Sequence, residues 1–210
     1  MYHQVRKGAR MPIGRPRAFD VDVALDRALK VFWRKGYEGA SLADLTKAMR
    51  INRPSLYAAF GNKEALFRKV VARYVEGPAA YVRESLDEPT ARAVAERLLS
   101  GAVNLLTDRK NPRGCLMVQG ALACGNSAES VRRELVSRRL SGELAIRRRF
   151  ERALAEGDLP ADSSPGDLAR YVATIIRGMA VQAAGGASRE DLRRIVDLAL
   201  RAWPDASPAR

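Results

Sequence analysis

Apolar residues in this 210-residue chain recur at intervals of three and four, the period of helices that bury one face. Val21, Ala24, Leu25, Ala28, Leu29 and Phe32 stripe a first helix over residues 21–35. Asp20 is placed to cap it, Gly36 to end it, and Trp33 and Tyr37 to close the core around it. Ser41 and Asp44 then form an S-x-x-D capping box that opens a second helix, with Leu42, Leu45 and Met49 facing inward. Asn52 caps a third helix, with Pro54 in its first turn, where a missing N–H costs nothing. Leu56 and Phe60 must point into the core, so at 100° per residue Pro54, Ser55, Tyr57 and Ala58 point away from it. This third helix is short and polar on its outer face, a shape for presenting side chains. A fourth helix runs from Lys63 with Phe67, Val70, Val71 and Tyr74 as its stripe, until Gly77-Pro78 breaks it.

Further along, Thr90 opens a helix reaching about Leu106, and residues 115–124 are apolar all round except for Gln119, the pattern of a central, buried helix. Ser127 caps a long helix reaching about Glu156. Its expected inward positions are Val136, Leu140, Leu144, Phe150 and Leu154, and its many arginines read as solvated surface. Leu168, Val172, Ile175, Ile176, Met179 and Ala183 stripe the next helix. Ser188 and Asp191 form a second capping box before a last helix striped by Leu192, Ile195, Val196, Ala199 and Trp203 and stopped by Pro204. The pattern predicts an all-α protein of about nine helices, with an N-terminal three-helix helix-turn-helix domain and a larger helical domain behind it. The expected boundaries are a flexible basic arm at 1–18, the helix-turn-helix domain at 19–74 and the larger domain at 75–210.

Charge changes the picture, because it is unevenly spread. The chain carries a net charge of +13, but its first 74 residues hold 16 Lys and Arg against 6 Asp and Glu, and the rest hold 21 against 18. A polyanion partner is therefore expected at the first third. His3 is the one histidine, and Cys115 and Cys124 are the two cysteines. No Ser/His/Asp or Cys/His pairing, phosphate-cradling glycine loop or metal-ligand spacing is present, so neither an enzyme nor a metal or cofactor is expected. The longest apolar stretch, about 171–184, is broken by Arg177 and falls short of a membrane span. With no signal-like N-terminus, the chain is expected to be cytoplasmic and without a membrane partner.

A helix-turn-helix with a presented third helix fits the major groove of double-stranded DNA. Residues 19–74 resemble the DNA-binding domain of the tetracycline-repressor (TetR) family. The resemblance rests on Arg53-Pro54-Ser55-Leu56-Tyr57, Phe60 and Lys63-Glu64-Ala65-Leu66 at the matching places. It implies that Arg53 hydrogen-bonds a base edge, that Pro54 and Ala58 pack on base methyls, and that Ser55 and Tyr57 hold phosphates or base edges. Lys63 would meet a phosphate, and Ser41 is either a phosphate contact or only a cap. Two departures stand out. Arg50 occupies the turn where the family usually has Gly, at a cost on the order of 1 kcal/mol if its φ is positive. Ala58-Ala59 replaces a bulkier pair, so Arg15 and Arg17 of the arm are expected to carry more of the binding.

For residues 75–210 the resemblance implies a ligand cavity and a homodimer interface. Independently, the last two helices carry full apolar stripes with little chain left to cover them. This nominates Leu168, Val172, Ile175, Ile176, Met179, Leu192, Ile195, Ala199 and Trp203 for the interface. Weak pointers to a cavity are Tyr81, Met117, Gln119, Phe150, Arg177 and Met179, each taken singly more readily read as ordinary packing. The expected function is a sequence-specific transcriptional regulator, a repressor bound to a palindromic operator as a homodimer and released by a small-molecule effector. The alternatives are a DNA-organising protein without sequence preference and a cysteine-based redox regulator using Cys115 or Cys124.

Overall fold

The structure, a computed structural model, describes residues 19–122 and 128–204. The predicted arm with Arg15 and Arg17, the cysteine Cys124 and the predicted cap Ser127 lie outside the described residues. Among the described residues the secondary structure is helical. The segments are α1 (Val21–Gly39), α2 (Leu42–Met49), α3 (Arg53–Phe60), α4 (Lys63–Glu76), α5 (Tyr81–Ser85), α6 (Ala91–Thr107), α7 (Leu116–Leu122), α8 (Glu129–Ala155), α9 (Pro165–Ala184) and α10 (Arg189–Arg201).

The caps predicted among the described residues are in place. The Asp20 carboxylate accepts from the amides of Asp22 and Val23, and Asn52, Asn62 and Thr90 each accept an amide from three residues on. Both capping boxes form, Ser41 with Asp44 and Ser188 with Asp191. Gly36, at φ 68°, interrupts α1, and the turn beyond it lays Tyr37 against Phe32 and Phe67.

Two hydrophobic cores result. The first gathers α1–α4 around Phe32, Trp33, Phe67 and Tyr74, and it continues into Leu116 of α7 and Val131 and Leu135 of α8. The second packs α6, the later half of α8, α9 and α10 around alanines, leucines and valines. Elements distant in sequence thus share a core with the N-terminal domain.

The expected phase of α8 needs correction. Leu140 is 59 % exposed and Leu144 is exposed too, while Val131, Leu135, Ile146, Phe150 and Ala153 are buried. Arginines stand on both sides of this helix, so its sequence gives little contrast between faces. Nor are all its arginines solvated. Arg149 is only 5 % exposed, and its Nη2 donates to the carbonyls of Glu88 (2.7 Å) and Pro89 (2.9 Å), tying α8 to the turn before α6.

The residues nominated for the interface on the last two helices divide by burial. Val172, Met179, Leu192, Ala199 and Trp203 are buried in the chain's own second core, and Leu168, Ile175, Ile176 and Ile195 are half-buried against it. The buried residues are covered because α6 and α8 pack on α9, and α6 packs on α10. The outward face carries a second, sparser set: Tyr171, Val181 and Leu198, the last 61 % exposed.

Candidate nucleic-acid interface and internal cavity

At the N-terminal end, α2 and α3 meet through a turn at Arg50, which adopts the left-handed conformation (φ 59°, ψ 43°). Its amide donates to the carbonyl of Lys47, and the Ile51 amide to that of Thr46, closing α2 tightly enough for α3 to start at Arg53. Leu56 and Phe60 anchor α3 in the first core. Arg53, Pro54, Tyr57 and Ala58 are exposed, Tyr57 at 47 %, and Ser55 is half-buried beneath its cap. Four of the five residues expected to face outward therefore stand free on one short helix. Ala59, by contrast, packs partly on the core.

Charges around this face divide into spent and unspent. Lys35 is tied to Asp44 at 2.8 Å, Arg68 to Glu64 and Glu134, and Arg73 to Asp26 and Asp22. The Asp44 carboxyl, bonded by Lys35 and then by Ser41, is pushed down to about 2. Lys47, Arg50 and Arg53 are exposed and carry no carboxylate partner among the described residues. Lys63, expected to meet a phosphate, is less free. Lys63 places its Nζ over the Tyr37 ring, 4.6 Å from its centre, a cation–π contact that holds it beside α1. The Ser41 hydroxyl is likewise engaged, accepting from the Asp44 amide at 3.0 Å and donating to the Asp44 carboxylate at 2.7 Å.

A second feature lies where the two cores join. A cavity of about 210 Å³ opens between α4, α5, α7, α8 and α9. Of the pointers from sequence, Tyr81, Met117 and Arg177 line it. Phe150 and Met179 do not; both are packed in the second core. Gln119 does not either. Its amide fills the space beside Gly114, where a side chain would come within 2.5 Å of Nε2, and it borders a separate cleft against Gly36 and Tyr37. Residues the sequence pattern did not reveal include Tyr74, Cys115, Arg139, Glu143 and Ile146. Finding Arg139 and Glu143 required the phase of α8, which its pattern left open.

Polar groups in the wall are few and mostly paired. The Tyr74 hydroxyl donates to Cys115 Sγ at 3.2 Å. Burial pushes the Cys115 thiol up, and burial likewise raises both tyrosines. Those directions oppose an activated thiolate, so they disfavour redox sensing by Cys115. Arg139 donates to the Met117 carbonyl at 2.6 Å, and Arg177 to Glu143 at 2.9 Å. The wall also reaches the DNA-facing domain, because the Trp33 indole of α1 donates to the Gly114 carbonyl at 2.9 Å, just before α7.

Comparison with known proteins fits both halves. A family model described as "Bacterial regulatory proteins, tetR family" matches residues 24–70, and one described as "Tetracyclin repressor-like, C-terminal domain" matches 92–199. The HTH-type transcriptional repressor ComR of Escherichia coli (strain K12) is 36% identical over 194 residues, spanning 91% of this chain and 92% of ComR. The chain belongs to the TetR family. In this TetR-family regulator, α2 and α3 are the helix-turn-helix of the DNA-binding domain, and the protein regulates transcription and is not an enzyme. A cysteine mutant of the TetR family transcriptional regulator CifR, complexed with 26bp double-strand operator DNA, is 49% identical with a TM-score of 0.87, covering 90% of this chain and all of that one. A TetR family regulator from Agrobacterium tumefaciens, 21% identical with a TM-score of 0.73, shares the fold. No helix among the described residues is long and apolar enough to cross a membrane.

Proposed function

We propose that this TetR-family regulator is a repressor that binds a palindromic operator as a homodimer and leaves it when a small molecule enters the cavity. The observation that carries this reading is the outer row of α3, where Arg53, Pro54, Tyr57 and Ala58 stand exposed on a helix held from behind by Leu56 and Phe60. On this reading Arg53 takes a guanine edge, Pro54 and Ala58 meet base methyls, and Ser55, Tyr57, Lys47 and Arg50 hold base edges or the backbone. Lys63 turns from Tyr37 to a phosphate, Ser41 stays a cap, and Arg15 and Arg17 reach the adjacent minor groove. The operator complex of CifR and the description of ComR as a repressor support the same sense of regulation.

Pairing falls to the outward face of α9 and α10, where Tyr171, Val181 and Leu198 are exposed apolar residues next to the open Gly178. Two such pairs of helices make a four-helix interface. Leu198→Asp then yields a folded monomer by light scattering, with its operator affinity reduced at least ~10-fold by loss of the second half-site. A dimer unaffected by that change puts the interface elsewhere. The decisive experiment is footprinting of the full chain on genomic DNA. Two protected half-sites about one turn, ~34–36 Å, apart are expected. Uniform coating, with Arg53→Ala binding as well as the parent, would mean a DNA-organising protein instead.

A further inference from the structure

Among the described residues, the cavity wall is mostly apolar, yet it carries three arginines, Arg138, Arg139 and Arg177, against one carboxylate, Glu143. Arg138 is neutralised by Glu134, which is not part of the wall. Glu143 is divided between Arg177 at 2.9 Å and Arg170 at 3.7 Å. Among the described residues, Arg139 has as its partner the backbone carbonyl of Met117, at 2.6 Å, and no carboxylate. A carbonyl satisfies a donor but does not balance a charge, and a part-buried guanidinium without a counter-charge is costly. Burial and the nearby Arg177 both lower the Arg139 pKa, so the two cations stand close enough to feel each other. The wall is thus short of negative charge beside an apolar chamber.

We propose that the cavity takes a small amphipathic anion, its acid group held between Arg139 and Arg177 and its apolar body against Tyr74, Tyr81, Val118 and Ile146. This rests on the reading of the cavity as the effector site. A volume of about 210 Å³, at the small end for a ligand cavity, favours a short body. Arginine suits such a head, since its planar fork bonds a carboxylate through two parallel N–H groups. The occupant also acquires a lever on DNA binding. An acid that draws the Arg139 guanidinium toward Arg177 takes it from the Met117 carbonyl on α7. The chain leading into α7 is where Trp33 of α1 is fastened, through the Gly114 carbonyl, so loosening α7 reorients the head that carries α3.

The test uses three probes with one tail and three heads: hexanoate, hexan-1-ol and hexylammonium. Each is titrated calorimetrically into the full-length protein, then into its operator complex. Hexanoate is expected to bind about tenfold or more tighter than the alcohol, with the ammonium weakest, and Arg139→Gln to erase that preference. Equal affinities, a preference for the ammonium, or no binding by any of the three overturns the anion assignment. Should Arg139→Gln fail to fold, the head-group order on the unaltered protein decides alone. Hexanoate binding with no release of the operator leaves the anion site standing and overturns the effector reading.

Discussion

The two hydrophobic cores are built from different material. The first is aromatic: Phe32 meets Phe67 edge-on at 5.0 Å, and Trp33 meets Tyr74 at 4.8 Å and 88°. The second is aliphatic, with the Phe150–Trp203 contact at 5.4 Å as its aromatic pair. The rings of the first core sit on α1 and α4, and between them they form the bed on which α2 and α3, of 8 residues each and unstable alone, dock through Leu45, Met49, Leu56 and Phe60. The 27 residues of α8 and 20 of α9 can spread burial over many small side chains. An interlocked set of rings holds α3 in one pose, which reading DNA requires. Where the two kinds of packing meet, at α7 and the middle of α8, neither fills the space, and the cavity is there.

The strongest way to break this comparison is to remove a ring from the first core. Phe67→Ala, which deletes the contacts to Phe32 and Tyr37, is expected to cost about 3–5 kcal/mol in urea unfolding. The loss should appear as one shifted transition, because α7 and α8 belong to both cores. Two separated transitions would mean that the cores are independent units. The next effect leaves packing untouched. Arg53→Ala is expected to cost about 1–3 kcal/mol of operator affinity in gel-shift titrations and nothing in unfolding, since Arg53 is exposed. A destabilised Arg53→Ala protein would show that α3 is not merely presented by its core but held by its own surface.

The same contrast governs how much of the molecule is legible in its sequence. Around α2 and α3, caps, a turn and two inward residues all specify one phase, so the exposure of Arg53, Pro54, Tyr57 and Ala58 follows from the residues alone. The left-handed Arg50 is legible too, from the glycine it replaces. In α8, residues with long aliphatic stems and charged ends stand on both faces, and Arg149 lies buried where the pattern favours an aliphatic residue. The fully apolar stripes of α9 and α10 are real, but stripe strength measures burial and does not name the partner. Leu192 and Trp203 find their cover within the chain, and the sparse outer set of Tyr171, Val181 and Leu198 has no period strong enough to notice. A cavity between α4, α7 and α8 depends on three phases at once, and one of them is ambiguous in the sequence.

Two smaller perturbations sharpen the contrast on the head itself. Arg50→Gly relieves the left-handed strain and is expected to raise stability by about 1 kcal/mol in urea unfolding. It also removes a free cation, so the salt dependence of operator binding should flatten by up to about one phosphate contact. A stabilised protein with an unchanged salt slope would confine Arg50 to the turn. The least effect is expected at Asp44, which is bonded to Lys35 and Ser41 on the solvent side of the capping box. Its folded pKa, about 2, lies below the ordinary 3.8, so its contribution is fully present above pH 3.8 and is lost as pH falls toward 2. Asp44→Asn should therefore flatten the stability–pH curve in that window and leave the slope near neutrality unchanged. Because Lys35 and Asp44 are both open to solvent, added salt should shrink the difference between the two proteins. A difference that persists in high salt would instead mark the cap hydrogen bonds, and not the ion pair, as the source of the depressed pKa.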